Sequence, residues 1–331
     1  MKSRIKRHLQ WQTWKARLAL AALLAVAPLT HAATAAGELA LQPASRLDVS
    51  FISFPSPNLA APGTMLTIQG KLSVPRPTER HDSTVRKLPA VLILHGSAGV
   101  DARGDFYEAA LNAAGIVTLQ IDMWQARGVS NLSQRPSAPI LTYPDAFSAL
   151  NFLAQQPGID GSRVGVLGFS WGGLISLGAA ERLYAGQFGG GRKFKAHVAH
   201  YPVCYAWNNA AVLSALKTTP AKFGVQWQQL TGAPVLIQIG SEDGYDNGSQ
   251  PCEAMVSAVN PANGGVVTLN VYGGARHAWD RLQVPIVAPD PYADRGSYFA
   301  TGVVPSVAIS PSVEQAYQAR AEVLRFFSRR L

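Results

Sequence analysis

Short apolar runs recur along the chain at intervals that suit strands joined by helices. Runs such as residues 90–95 and 234–240 are apolar apart from His95 and Gln238, which predicts strands covered on both faces, since such strands have no side exposed to water. The predicted strands lie at residues 47–54, 64–72, 90–95, 116–121, 163–169, 196–201, 234–240 and 266–272.

Longer stretches with helical spacing separate many of these runs. The predicted helices lie at residues 103–114, 143–156, 171–184, 251–259 and 312–329. Alternation of strands and helices is typical of the α/β class, so we expect a mostly parallel central sheet of about eight strands with helices on both faces. The 331 residues are 47% hydrophobic and 15% charged, which suits a single large domain, placed at residues 33–331.

The net charge of +9 is concentrated at the start of the chain. Residues 1–17 hold six lysines and arginines, a twelve-residue apolar run follows at 18–29, and small residues come next. This layout predicts a secretory signal peptide over residues 1–32, or alternatively an uncleaved anchor. The remainder carries a charge of only about +3, which gives no reason to expect a nucleic-acid partner. We expect an exported protein, periplasmic or secreted, without a stable membrane partner once the leader is removed.

The segment 168–173 (GFSWGG) contains a G-x-S-x-G pattern in an informative context. It follows a predicted strand and precedes a run of small apolar residues that suits a helix. A serine on a sharp turn between strand and helix projects its hydroxyl above the sheet, and small neighbours are needed for that turn. Ser170 is therefore a candidate nucleophile, although glycine and serine are also common in ordinary loops.

A serine nucleophile needs a base and an acid. Where the serine lies on a turn between a strand and a helix of this kind, the acid comes next along the chain and the histidine follows it. Residues 241–247 form an acidic turn after one predicted strand, and His277 lies in a glycine-rich loop after the next. We expect His277 to be the base. Asp243 is the favoured acid because it lies nearest the strand end, Asp246 is the second candidate, and Glu242 is the least favoured.

Two backbone amides are expected to form an oxyanion hole. One is that of Trp171, directly after the candidate nucleophile, and the other is that of Ser97 or Ala98 in the loop after the strand at 90–95. His95 precedes Ser170 in the chain, which is the wrong order for a base, so a structural role in this loop is expected.

These segments together resemble the α/β-hydrolase superfamily and, more narrowly, the dienelactone hydrolase-like family. The resemblance covers roughly residues 64–331. The matching segments are the loop at 95–96, the strand end at 120–122 with residues 127–128, the motif at 168–173, the acid turn at 240–243 and the histidine loop at 272–278. Dienelactone hydrolase proper is similar but has cysteine as its nucleophile, whereas this chain has Ser170, which favours an ordinary serine esterase.

The resemblance implies a serine hydrolase that cleaves a carboxylic ester or lactone through an acyl-enzyme, with a small-molecule ester as its partner and no cofactor. A peptidase of the prolyl oligopeptidase type is an alternative, because its catalytic domain is similar. A non-catalytic binding protein with a hydrolase-like fold is another. The sequence does not determine the oligomeric state.

Two segments are expected to shape the substrate site. Residues 204–231 form a lid-like insertion rich in aromatic and amide side chains, and residues 282–311 form a Pro-rich rim segment. Both also fit plain surface loops. Trp124, Arg127 and Trp207 are candidate substrate-binding residues, with an Asp122–Arg127 pair that fixes the loop as the alternative for Arg127.

The chain has two cysteines, Cys204 and Cys252, and an even count in an exported protein suggests one disulfide. Two separate buried thiols remain the alternative. A metal site is not expected, because His197 and His200 lie three residues apart on a predicted strand and would point to opposite faces.

Overall fold

The computed structural model describes residues 46–76, 87–207 and 227–331. The predicted leader at residues 1–32 lies outside these ranges, and so do residues 208–226 of the predicted lid-like insertion. Among the described residues, no helix combines the length and the apolar character needed to cross a membrane.

Eight strands of the described ranges form one sheet with the order β1-β2-β4-β3-β5-β6-β7-β8. Pairing is antiparallel between β1 and β2 and between β2 and β4, and every other pair is parallel. The strands are β1 (Arg46–Pro57), β2 (Met65–Arg76), β3 (Leu88–Leu94), β4 (Val117–Asp122), β5 (Ile159–Phe169), β6 (Ala196–His200), β7 (Val235–Gly240) and β8 (Val267–Tyr272). The predicted mostly parallel sheet of about eight strands is confirmed.

Helices cover both faces of this sheet. The described helices are α1 (Ala102–Ala113), α2 (Tyr143–Ala154), α3 (Trp171–Ala180), α4 (Arg182–Phe188), α5 (Gln250–Val259), α6 (Tyr298–Thr301) and α7 (Val313–Arg330). Strand β3 separates two cores, because Val91 and Ile93 pack with residues of α1 and α7, while Leu92 and Leu94 pack with residues of α2. The alternation of side chains along a buried strand explains this division.

The helix predicted over residues 171–184 is interrupted at Glu181. This residue is extended, with φ −78° and ψ 135°, so the chain turns between α3 and α4. Its carboxylate accepts the backbone amides of Gln228 at 2.9 Å and Gln229 at 3.0 Å. Contacts with a segment almost fifty residues away therefore end the helix, and a local pattern does not reveal them.

The Pro-rich segment contains regular structure that the sequence pattern did not predict. Strands β9 (Ile286–Pro289) and β10 (Ser306–Ile309) pair as an antiparallel ladder, with α6 between them. Proline lacks an amide hydrogen, but Pro289 stands at the end of β9, where a ladder tolerates the loss of one donor.

Helix α7 closes one face of the sheet through a buried aromatic residue. Phe327 is fully buried, and a Cβ placed on Gly165 of β5 would lie 2.5 Å from its ring. The absence of a side chain at Gly165 therefore lets the helix approach the sheet closely.

We expect Phe327→Ala to lower the free energy of unfolding by about 3–5 kcal/mol, because it removes a fully buried ring and leaves a cavity. Tyr317→Ala is the matched control on the same helix, since Tyr317 is 51% exposed, and it should cost about 1 kcal/mol or less. Urea unfolding curves measure both. Equal losses in the two variants would contradict this account of how α7 is held.

Candidate active site

Ser170 occupies a strained turn between β5 and α3. Its backbone has φ 49° and ψ −104°, a conformation that residues with a side chain rarely adopt. The amide of Ser170 donates to the carbonyl of His200 at 2.9 Å, and the amide of Gly172 donates to the carbonyl of His95 at 3.1 Å. The turn is thus held by the ends of the neighbouring strands β6 and β3.

The glycines of the motif are required by close backbone approach. A Cβ on Gly168 would lie 1.9 Å from the carbonyl oxygen of Gly172, and a Cβ on Gly172 would lie 2.3 Å from that of Leu94. At Gly173 the nearest atom would be the His200 carbonyl oxygen, at 2.8 Å. None of these backbone atoms can move aside easily, so the serine turn exists only with glycines around it.

The structure brings Ser170, His277 and Asp243 into one hydrogen-bonded line. His277 Nε2 lies 3.0 Å from Ser170 Oγ, and His277 Nδ1 lies 2.8 Å from Asp243 Oδ2. The three residues come from the carboxyl ends of β5, β8 and β7, which parallel pairing places at one edge of the sheet. All three side chains are buried, with Ser170 the most accessible at 7% exposure.

The other two acids of the turn lie elsewhere. The Asp246 carboxylate accepts the amides of Cys204 at 2.8 Å and Tyr205 at 2.7 Å, so it stabilises the start of a short 3₁₀ turn. Burial, followed by the neighbouring Asp243 charge, raises the pKa of Asp246 to about 7. Glu242 is exposed beside Arg276. Of the three candidate acids, only Asp243 lies within hydrogen-bonding distance of His277.

Two hydrogen bonds from residues 123 and 124 hold the loop that carries Ser97. Trp124 Nε1 donates to the Ser97 carbonyl at 3.0 Å, and His95 Nε2 accepts the amide of Met123 at 2.9 Å. Burial lowers the pKa of His95, which suits a neutral ring that accepts at one nitrogen and donates to the Gly96 carbonyl from the other. Within the described part of the chain, the amides of Ser97 and Trp171 have no hydrogen-bond partner, so both are free to donate.

The predicted substrate residues take other positions. Arg127 donates to the Asp145 carboxylate at 2.6 Å and to the carbonyls of Met123 and Leu141, and Asp145 is fully buried. The ion pair fixes the loop, as the alternative for Arg127 expected, but its acid is Asp145 and not Asp122. The Asp122 carboxylate instead accepts the amides of Trp124 and Gln125. The geometry does not support a substrate contact by Arg127.

Trp124 and Trp207 are also largely covered by protein. The Trp124 ring packs edge-on against His95 and Trp171, so it supports the loop of Ser97 and the serine turn. Trp207 is 4% exposed and belongs to the core beside Trp227. Packing of large apolar surface explains both positions better than ligand contact does.

Cys204 and Cys252 form a disulfide in the structure, with their Cα atoms 5.0 Å apart. The bond joins the 3₁₀ turn at Cys204–Ala206 to α5, which follows the acid turn. These sulfurs and Asp246 are the one group of close metal-type ligands in the described ranges. Because the two sulfurs are bonded to each other, this group does not offer thiolate ligands to a metal.

Two tyrosines that the sequence pattern did not single out enclose the imidazole of His277. The ring centroid of Tyr245 lies 4.1 Å from that of His277, and the centroid of Tyr201 lies 4.6 Å from it. Both follow the ends of strands that contribute to the site, which is the one sequence signal that could have suggested them. Their contacts restrict the orientation of the imidazole.

A model of the dienelactone hydrolase family matches residues 79–298. None of the curated proteins compared with the chain matches it.

Solved structures share the fold at low sequence identity. A dienelactone hydrolase-like promiscuous phosphotriesterase, P91, from metagenomic libraries is 15% identical with a TM-score of 0.52, covering 85% of this chain and 98% of that one. Esterase 2 of Thermogutta terrifontis, phosphoramylated by tabun, is 14% identical with a TM-score of 0.53, covering 83% and 93%. Dipeptidyl peptidase 4 of Porphyromonas gingivalis is 14% identical with a TM-score of 0.52, covering 85% of this chain but 35% of that one.

We expect Arg127→Met to lower the free energy of unfolding by about 3–5 kcal/mol, because it leaves the buried Asp145 carboxylate without its cation. KM for a neutral ester should stay within about twofold, since the guanidinium is bonded to Asp145 and to two backbone carbonyls. Urea unfolding and steady-state kinetics measure the two effects. The double variant Arg127→Met/Asp145→Asn should recover part of the loss. Unchanged stability together with a raised KM would instead favour the substrate role.

Proposed function

The chain belongs to the dienelactone hydrolase family, and on that premise we propose that it is a serine hydrolase that cleaves a carboxylic ester or lactone through an acyl-enzyme. The observation that carries the proposal is the hydrogen-bonded line from Ser170 Oγ through His277 to Asp243. Nucleophile, base and orienting acid are the three groups that acyl transfer requires, and here they lie at hydrogen-bonding distances in the proposed order.

In the first step, Ser170 Oγ attacks the ester carbonyl carbon while His277 Nε2 takes the hydroxyl proton. Asp243 accepts a hydrogen bond from His277 Nδ1–H, which fixes the tautomer and stabilises the imidazolium that forms. The new carbon–oxygen bond moves an electron pair onto the carbonyl oxygen. When the tetrahedral intermediate collapses, the alcohol leaves with the proton from His277, and the acyl group remains on Ser170.

The oxyanion is proposed to bind the amides of Trp171 and Ser97. The first lies at the N-terminus of α3, where the aligned peptide dipoles favour negative charge. Water then attacks the acyl carbon while His277 takes its proton. The bond from that carbon to Ser170 Oγ breaks, Oγ receives the proton from His277, and the acid product is released. Every step uses side chains, backbone amides and water, so the mechanism as proposed needs no cofactor.

The identity of the nucleophile indicates which class of substrate the protein prefers. Dienelactone hydrolase proper uses cysteine, so the exchange to Ser170 favours ordinary esters over dienelactones. Names of structural neighbours, an esterase and a promiscuous phosphotriesterase, agree with a serine able to react at carbonyl or phosphorus centres. We also propose that the protein acts after export, because residues 1–32 have the layout of a signal peptide.

A p-nitrophenyl ester series of increasing acyl length tests the proposal. We expect turnover by the wild-type protein, and a fall in kcat of about 10⁴–10⁶-fold in Ser170→Ala, because the nucleophile is lost. Asp243→Asn should lose about 10⁴-fold through the wrong histidine tautomer. The acyl length with the highest kcat/KM would then give the size of the acyl site.

Asp246→Asn is the matched control for the acid, since it is equally buried in the same turn but contacts the backbone of residues 204–205. It should retain kcat within about tenfold, as expected for a group outside the proton path. A peptide amide in the same assays separates the peptidase alternative. Folded wild-type protein without turnover of any of these compounds would favour a binding role and reject the proposed function.

A further inference from the structure

Tyr245 contacts both partners of the serine in the proposed triad. Its ring lies against the His277 imidazole, with centroids 4.1 Å apart and an interplanar angle of 41°. Its backbone amide donates to Asp243 Oδ1 at 2.9 Å, on the carboxylate whose other oxygen meets His277. The position of this one tyrosine therefore affects the base and the acid together.

The hydroxyl of Tyr245 is fixed by a buried carboxylate. It donates to Asp290 Oδ2 at 3.0 Å, and Asp290 is 2% exposed. Burial and the charge of Asp290 raise the pKa of Tyr245 well above its ordinary value, so the phenol stays protonated and remains a donor. Asp290 itself accepts the amide of Tyr292 at 2.9 Å, and its own amide donates to the carbonyl of Pro305 at 3.0 Å.

Asp290 is paired with a buried arginine from another part of the chain. Arg135 Nη1 donates to Asp290 Oδ2 at 3.1 Å, and the side chain of Arg135 is 7% exposed. The guanidinium lies over the rings of Trp171, at 5.9 Å, and Tyr292, at 5.8 Å. Trp171 directly follows the nucleophile, so the ion pair connects the serine side of the site with the histidine side.

We propose that the Arg135–Asp290 ion pair positions the catalytic histidine through Tyr245 and that the charge balance of this pair sets the basicity of the imidazole. What His277 does with that basicity rests on the proposed function. The placement of the imidazole is a property of the fold and can be measured separately.

Attachment of the rim segment does not by itself require an ion pair here. Tyr205 donates its hydroxyl to the Tyr292 carbonyl at 2.8 Å, and the amides of Asp294 and Arg295 donate to the carbonyls of Gly244 and Tyr245. Burying two charges is costly, and an apolar contact would attach a loop as well. The Arg135–Asp290 pair, in contrast, adjoins the Tyr245 ring that packs on His277, so its charges act electrostatically on the imidazole.

The other charged and titratable groups around His277 stay constant in the experiment. Asp243 meets the imidazole directly, the buried Asp246 carboxylate lies near Asp243 in the same turn, and Tyr201 packs against the imidazole from the end of β6. The Tyr201 hydroxyl donates to Asp280 at 2.5 Å and accepts from Arg103. His200 lies 3.2 Å from the same Asp280 carboxylate, and Arg103 is paired with Asp101. Changes at residues 135 and 290 leave all of these groups in place.

The test is a carbon-detected NMR titration of the histidine ring Cε1 atoms in the purified protein, with the His277 signal assigned by its absence in His277→Gln. Asp290→Asn is the sharper variant, because a guanidinium left unpaired cannot lose its proton. It should lower the pKa of His277, since the unpaired cation disfavours the imidazolium. Arg135→Gln leaves an unpaired carboxylate and should raise that pKa, and the neutral double variant should return it close to the wild-type value.

Shifts of about 0.5–1 pKa unit are expected for a unit charge that is separated from the imidazole by the Tyr245 ring in a buried site. Tyr205→Phe is the control, since it removes a hydroxyl bond to the same rim segment from a residue that does not touch His277, and it should shift the pKa by less than about 0.2 unit. Thermal melting establishes that each variant is folded.

Kinetics provide the second measurement, and Tyr245→Phe keeps the ring but breaks its bond to Asp290. We expect kcat for a p-nitrophenyl ester to fall about 3–10-fold with KM within about twofold, because the base is misplaced while binding is unchanged. If one charge variant fails to fold, the pKa shift in the other charge variant and the kcat of Tyr245→Phe carry the test.

Opposite pKa shifts in the two charge variants support the inference even if the wild-type protein hydrolyses no ester, in which case only the proposed function fails. A His277 pKa that stays within about 0.2 unit of the wild-type value in both folded charge variants would overturn the inference. So would a Tyr245→Phe variant whose kcat equals that of Tyr205→Phe.

Discussion

The turn at Ser170 brings backbone segments closer together than any side chain would allow, and the rest of the site is arranged around it. The amides of Ser170 and Gly172 bond to the carbonyls at the ends of β6 and β3, so the turn forms only when both neighbouring strands are in place. A positive φ at a serine costs of order 1–3 kcal/mol, and the surrounding sheet supplies the contacts that maintain it. The conformation places the hydroxyl within reach of His277 Nε2 and leaves the amide of Trp171 free to donate.

The base and acid reach this serine because parallel strands end at one edge of the sheet. The acid turn after β7 is then held from two sides. Asp246 and the Cys204–Cys252 disulfide join it to the segment after β6, and the rim segment bonds to it through the amides of residues 294 and 295. Such fixation suits a base that must keep its distance to a nucleophile within a few tenths of an ångström.

The sequence was most informative where a pattern is local. Apolar runs located all eight strands of the main sheet, and the positions of Ser170, Asp243 and His277 just after strand ends indicated which side chains would meet. The sequence did not predict contacts between residues that are far apart along the chain. Nothing local shows that Arg127 would meet Asp145 rather than Asp122, or that Glu181 would end a helix by accepting amides from residues 228 and 229. The link from Tyr245 through Asp290 to Arg135 joins segments up to 155 residues apart.

The central claim is that Ser170 is the nucleophile, and peptide mapping by mass spectrometry after reaction with a fluorophosphonate tests it most directly. The account predicts one adduct per molecule, located on Ser170, formed in the wild-type protein and absent after denaturation, because only the folded site activates the hydroxyl. An adduct on another residue, or no adduct on a folded protein that still hydrolyses esters, would contradict it.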